Sequence, residues 1–160
     1  MTSHTRQSNA APLLQLLSEA YEEKTWHGPN LKQSIRGVSA RVAAWRPQRG
    51  RHNIWEFTVH AAYWKYTVRR RLLGEPRGSF AIKGTNFFAM PEPLTEAAWR
   101  NCRQLLEDEH RKLIAAVADP RHSRAVQKEL RMIFGVAFHD IYHAGQIRLL
   151  RRMQERRTPR

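Results

Sequence analysis

Residues 130–150 carry apolar side chains at helical spacing, and two histidines, His139 and His143, sit four apart inside that run. A run of this period and length forms a helix with one face to bury. Residues four apart on such a helix project from the same face, one turn apart. Both imidazoles can therefore chelate one ion through ring nitrogens. Two ligands do not fill a coordination sphere, so a third has to come from another helix packed against this one. His60, within Val59-His60-Ala61-Ala62-Tyr63-Trp64, is the candidate.

The rest of the chain supplies such partners. Residues 12–23 place Leu13, Leu14, Leu16, Leu17, Ala20 and Tyr21 on a helical stripe; Pro12 suits the first turn, and Gly28 and Pro29 follow the stop. Short helices are expected at 31–37 and 39–45, behind the capping residues Asn30 and Ser39. Asn53 is suited to cap a long helix at 54–73, which carries His60 and closes at Gly74 with Pro76 just beyond. Residues 74–93 contain Gly, Pro and the pair Phe87-Phe88 but no periodicity. A connection of that length inside a compact domain predicts a functional or partner-covered loop. Thr95 is suited to cap a further helix, which stops at Asp119-Pro120. The last long helix begins at Ser123 or shortly after. No alternating β pattern of any length appears. Four long amphipathic helices predict an all-α fold, a four-helix bundle, whose core can host metal sites between facing helices.

A chain of 160 residues suffices for one domain that buries about 70% of the surface its unfolded form exposes. That domain is expected over 10–155, between a flexible tail at 1–9 and a basic tail at 156–160. Apolar runs fall short of the roughly 20 residues a membrane-spanning helix needs, and the first nine residues lack a hydrophobic signal core. Cys102 stands alone, so no intrachain disulfide can form, and a cytoplasmic setting is expected. Lys and Arg number 28 against 14 Asp and Glu, a net charge of +14. Arg69, Arg70, Arg71, Arg148, Arg151, Arg152, Arg156 and Arg157 fall where helix C-termini are expected, and cations there complement the macrodipole. The same surplus attracts polyanions and acidic small molecules. A non-enzymatic basic helical module that binds nucleic acid or an acidic partner is therefore the alternative reading.

A buried imidazole without a partner costs on the order of 1–3 kcal/mol, and a shared metal would relieve that cost. Three neutral imidazoles leave two or three positions for water or substrate, as a catalytic centre requires, and the set suits Zn²⁺, Ni²⁺ or Fe²⁺. The competing reading is a pair of satisfied or exposed histidines. The pair resembles the His-Glu-x-x-His of metalloproteases, but Asp140 is one methylene shorter than Glu and no protease-like strand is evident, so peptidase chemistry is set aside. Asp140 either orients a ligand as an outer acceptor or lies on the solvated face. Gln146, beyond His143, and Glu56, one turn before His60, can each bond a ligand or a bound water; Glu56 has the alternative of an exposed first-turn carboxylate. Tyr63 and Tyr142 either line the cavity or serve as core aromatics. Trp26, Trp55, Trp64 and Trp99 are expected to pack. His4, His27, His52, His110 and His122 are expected to be non-ligands.

Four segments now form a pattern in order: Trp26-His27-Gly28-Pro29-Asn30-Leu31; His52-Asn53-Ile54-Trp55-Glu56 leading into His60-Ala61-Ala62-Tyr63-Trp64; Leu72-Leu73-Gly74; and His139-Asp140-Ile141-Tyr142-His143-Ala144-Gly145-Gln146-Ile147. Together they resemble the DinB-like superfamily, of the DinB/YfiT type, over roughly residues 13–153, the last segment being the most specific. The resemblance implies a bundle with up-down-down-up connectivity, a homodimer, and a divalent metal held by three histidines that map onto His60, His139 and His143. It also implies an enzyme in which the metal activates a bound low-molecular-weight thiol, as in S-transferases, or a water, as in hydrolases. Its substrate would be a small molecule, for which the basic charge favours an acid.

Overall fold

The computed structural model describes residues 10–156; the tail expected at 1–9, with His4, and residues 157–160 of the basic tail lie outside the described residues. The helices are α1 (Ala10–Tyr21), α2 (Leu31–Ile35), α3 (Ala40–Ala44), α4 (Ile54–Leu73), α5 (Glu96–Ala118), α6 (Ser123–Lys128) and α7 (Leu130–Glu155), with a 3-10 turn at Pro120–His122. No strand occurs among the described residues, so the fold is all-α. No helix among them is long and apolar enough to cross a membrane.

The helix starts are set by local chemistry. Asn30, Ser39, Asn53 and Thr95 each take extended backbone and accept from the backbone N–H three residues on. Each such cap contributes about 1 kcal/mol. Asn30 and Asn53 are doubled into capping boxes by the returning side chains of Gln33 and Glu56. Gly74 closes α4 at φ 69°, a left-handed conformation that a side chain would strain. Several boundaries differ from the sequence reading; α2 stops at Ile35 and α3 at Ala44, short of the expected 37 and 45. Helix α1 ends at Tyr21, with the Glu22 and Glu23 N–H groups bonding back to Ser18 O. The final run, expected to be continuous from about Ser123, breaks at Glu129 into α6 and α7. Neither Gly nor Pro marks that break; it lets Val126 join the core cluster that also holds Val117 and Ile133.

Side-chain pairings give the helix directions. Trp55 meets Trp99, and Lys65 meets His110, so α4 and α5 run parallel. Phe57 packs on His143 and Trp64 on His139, so α7 runs antiparallel to α4. Tyr21 bonds Glu107, while Leu13 and Leu17 share a cluster with Leu113 and Val117, so α1 runs antiparallel to α5. The four long helices are therefore arranged up-down-down-up, with α2 and α3 filling the connection between the first two. One apolar cluster centres on Trp55, Trp99, Leu106 and Ile147, and the other on Leu13, Leu17, Leu113 and Ile133. Trp26, expected to pack, is 95% exposed; the chain around it is a non-helical turn between α1 and α2, outside both clusters.

Along the long helices, a polar layer falls between these clusters. Lys65, Asp140 and His110 are all fully buried. The Lys65 ammonium pairs with Asp140 Oδ2, lies 3.3 Å from His110 Nδ1, and sits 4.9 Å from the centroid of the Tyr21 ring. Asp140 therefore neither orients a histidine nor faces solvent, correcting both readings of it. His110, expected near a polar surface, is a core residue. Burial drives its pKa down to about 2, with the Lys65 charge adding to the effect, so it packs as a neutral ring. Removing one partner of a buried ion pair strands the other charge, whereas replacing both can be neutral or better. Lys65→Met should accordingly cost about 3–5 kcal/mol in chemical denaturation, and Lys65→Met combined with Asp140→Leu should recover most or all of it.

Candidate metal centre

Helix α4 presents Phe57, His60 and Trp64 at successive turns, and antiparallel α7 presents His139 and His143. Their Nε2 atoms converge: His139 Nε2 lies 2.9 Å from His60 Nε2 and 3.0 Å from His143 Nε2. The three ligand atoms all lie within 4.8 Å of one another. His60 and His143 are buried, and His139 is half-buried.

The outer nitrogens decide what the inner ones offer. His60 Nδ1 is 2.9 Å from the backbone carbonyl of Asn86, which can only accept, so this nitrogen carries the hydrogen and Nε2 a lone pair. His143 Nδ1 is 2.6 Å from Gln146 Oε1 and is held the same way. His139 Nδ1 is buried and has no hydrogen-bond partner, so its ring alone is free to place its hydrogen on either nitrogen. Burial lowers the pKa of all three rings. His139 is taken to about 3, with His143, His60 and Lys65 adding to the effect of burial. Burial takes His143 to about 4, although the hydrogen bond that it donates to Gln146 opposes the fall. His60 is lowered despite its bond to Asn86. All three are therefore neutral near pH 7, with lone pairs available to a common centre. This donor set fits a borderline divalent cation.

Aromatic rings enclose the cluster. Phe87 stacks on His60 at 4.1 Å with the ring planes nearly parallel, and His52 stacks on the other side of Phe87 at 3.6 Å. Trp64 meets His60 and His139 edge to face. Trp64 Nε1 donates to Asn86 Oδ1, which helps hold Asn86 at φ 63° with its carbonyl on His60. Asparagine is among the few residues other than glycine that take this conformation readily.

Of the residues expected around the centre, Gln146 bonds His143, and its Nε2 donates to the Tyr142 hydroxyl. Tyr142 is 64% exposed and packs its ring against His143, so it borders the site from the solvent side instead of the core. Glu56 does not reach the cluster. Its carboxylate receives Arg46 Nη2 at 2.5 Å and the Asn53 N–H at 3.1 Å. Burial raises its pKa, but these bonds outweigh that and leave it lowered. Nor is it the exposed first-turn carboxylate of the other reading. Tyr63 points its hydroxyl at Thr85 Oγ1 and its ring at Phe80 and Phe88, away from the imidazoles. Asn86 and Phe87 are the positioning residues that sequence reasoning missed. Their signal was the Phe87-Phe88 pair in the long connection, but nothing local says which backbone carbonyl faces a histidine. His27, His52, His110 and His122 are not part of the cluster.

Compared with known proteins, the chain matches the family profile of the DinB superfamily over residues 23–147. No curated protein and no solved structure matches. The matched stretch contains His60, His139 and His143, all of α4 and α5, and most of α7. The chain belongs to the DinB superfamily.

Proposed function

We propose that the chain is a divalent-metal-dependent enzyme in which His60, His139 and His143 hold the ion. The reaction is transfer of a low-molecular-weight thiol, as in S-transferases, or hydrolysis by water. The observation that carries this reading is the meeting of three neutral Nε2 atoms, with the outer nitrogens of two of the rings tied to acceptors. Zn²⁺, Ni²⁺ and Fe²⁺ all accept such a set. When bound, the ion would act as a Lewis acid that lowers the pKa of a thiol or water beside it.

The protein's own groups do the rest. The Asn86 carbonyl and Gln146 Oε1 hold two rings in register, the work that outer hydrogen bonds perform for ligating histidines. Phe57, Trp64 and Phe87 cover ring faces and keep water from them. Tyr142 packs its ring against His143 and accepts from Gln146 Nε2, which steadies the amide that holds that histidine. The +14 charge favours an acidic substrate. A homodimer is the proposed assembly. Phe134, Phe138, Tyr142, Leu149 and Met153 leave one face of α7 apolar and exposed, which supports it. The proposed setting is cytoplasmic, where the single cysteine stays reduced.

His143→Ala should lose bound metal in elemental analysis of untagged protein while keeping its helical circular dichroism; unchanged metal content would refute the assignment. Gln146→Leu removes an outer acceptor only. It should weaken Zn²⁺ affinity by about 10- to 100-fold in a competition titration, with stoichiometry intact. The pH response follows from the depressed pKa values. Protons compete with metal only where they bind the folded rings. With His139 near 3, His143 near 4 and His60 below its ordinary value, Zn²⁺ affinity should persist to a lower pH than free imidazoles allow and fall steeply only below about pH 5. Unperturbed histidines, with pKa about 6.5, would already lose affinity steeply by about pH 6.

A further inference from the structure

A second cleft, of about 660 Å³, opens between the end of α1, α2 and the first half of α5, and shares no residue with the histidine cluster. Arg100, Arg103, Gln104 and Glu107 line it from one face of α5, at the i, i+3, i+4 and i+7 spacing of a helical stripe. Its lining charges fall into two sets. Lys32 Nζ bridges Glu22 at 2.8 Å and Glu107 at 3.0 Å, and the Tyr21 hydroxyl donates to Glu107 at 2.9 Å, so one cation serves two carboxylates. Arg36, Arg100 and Arg103 line the same cleft and have no carboxylate partner among the described residues. Arg103 is held over the Trp99 ring, its guanidinium carbon 5.8 Å from the centroid, and its Nε is buried without any hydrogen-bond partner.

Three guanidinium groups around one small cleft repel one another until a multiply charged anion lies between them. Their planar forks bind carboxylate and phosphate through paired hydrogen bonds. A phosphate ester offers three anionic oxygens to three such forks, where a carboxylate offers two. The cleft is also of a size to take a small organic molecule. We infer that it binds a small phosphorylated molecule. The phosphate lies at Arg36, Arg100 and Arg103, and the remainder extends toward Glu22 and Glu107, whose carboxylates accept from hydroxyl or amino groups.

Glucose 6-phosphate, a phosphate ester with several hydroxyls, is a suitable probe, titrated into the full chain at about 0.15 M salt while arginine Nε–H and backbone amide NMR signals are followed. Saturable shifts should be confined to Arg36, Arg100, Arg103 and their neighbours. Arg100→Gln combined with Arg103→Gln should weaken binding at least about tenfold with unchanged circular dichroism, and His143→Ala should bind as the parent does. Shifts that never saturate, or that spread equally to Arg148 and Arg152, would reduce the effect to general attraction by the net charge and overturn the proposal. Equal affinity for succinate would overturn the phosphate assignment, and undiminished binding by the double variant would overturn the site.

Discussion

Two neighbouring helices that point the same way cannot be joined by a tight turn. Helices α4 and α5 are such a pair, and α4 is 20 residues long, so the chain has to return about 30 Å before α5 can start. Residues 74–95 make that return, and their path shapes the candidate centre. The Ser79 N–H and hydroxyl both bond the Tyr66 hydroxyl, Phe80 and Phe88 pack on Tyr63, and Phe87 then lies flat on His60. The Asn86 carbonyl ends up on His60 Nδ1. With α5 antiparallel, a few residues would have sufficed, and no long return segment would bring the Asn86 carbonyl to this nitrogen. The orientation of one imidazole is thus a consequence of helix direction.

The bundle buries polar groups next to one another by two opposite means. Trp64 and His139 face the cluster, while their sequence neighbours Lys65 and Asp140 pair in the core. Consecutive helical residues differ by about 100° in direction, so one turn of each helix serves both purposes. In the core the solution is opposite charges, where desolvation of each ion is offset by the other only if they stay together. At the cluster it is neutrality, because burial strips protons from the imidazoles. The two are coupled, since the Lys65 ammonium adds to the lowering of the His139 pKa.

Much of this was legible in the residues. The caps Asn30, Ser39, Asn53, Thr95 and Gly74 mark helix ends by side-chain chemistry within three residues, and all lie where they were expected. The three histidines could be proposed together because two share a helical face and the third sits inside another apolar helix. What stayed hidden depended on distant contacts. Asp140 and Glu56 have the spacing of outer ligands, but each is claimed by a cation, Lys65 or Arg46, that no local pattern pairs with it. His110 sits among charged residues in sequence, yet it faces inward beside Tyr21 and Lys65. The break at Glu129 carries no Gly or Pro, so the apolar period runs through it unmarked.

That engagement of Glu56 and Asp140 elsewhere bears on what the centre can favour. A divalent cation held by three imidazoles keeps its whole double charge, because neutral ligands cancel none of it. A nearby carboxylate would ordinarily compensate, but the two closest in sequence to the histidines are committed, one to Arg46 and one to a fully buried Lys65. The surrounding walls of Phe57, Trp64 and Phe87 screen charge poorly compared with water. Under those conditions the strongest stabilisation comes from a ligand that brings its own negative charge, and the preference grows as water is excluded. A thiolate or an acidic substrate meets that demand better than a neutral molecule does. In the proposed metal-bound state, the missing carboxylate, more than the imidazoles themselves, would favour an anionic ligand.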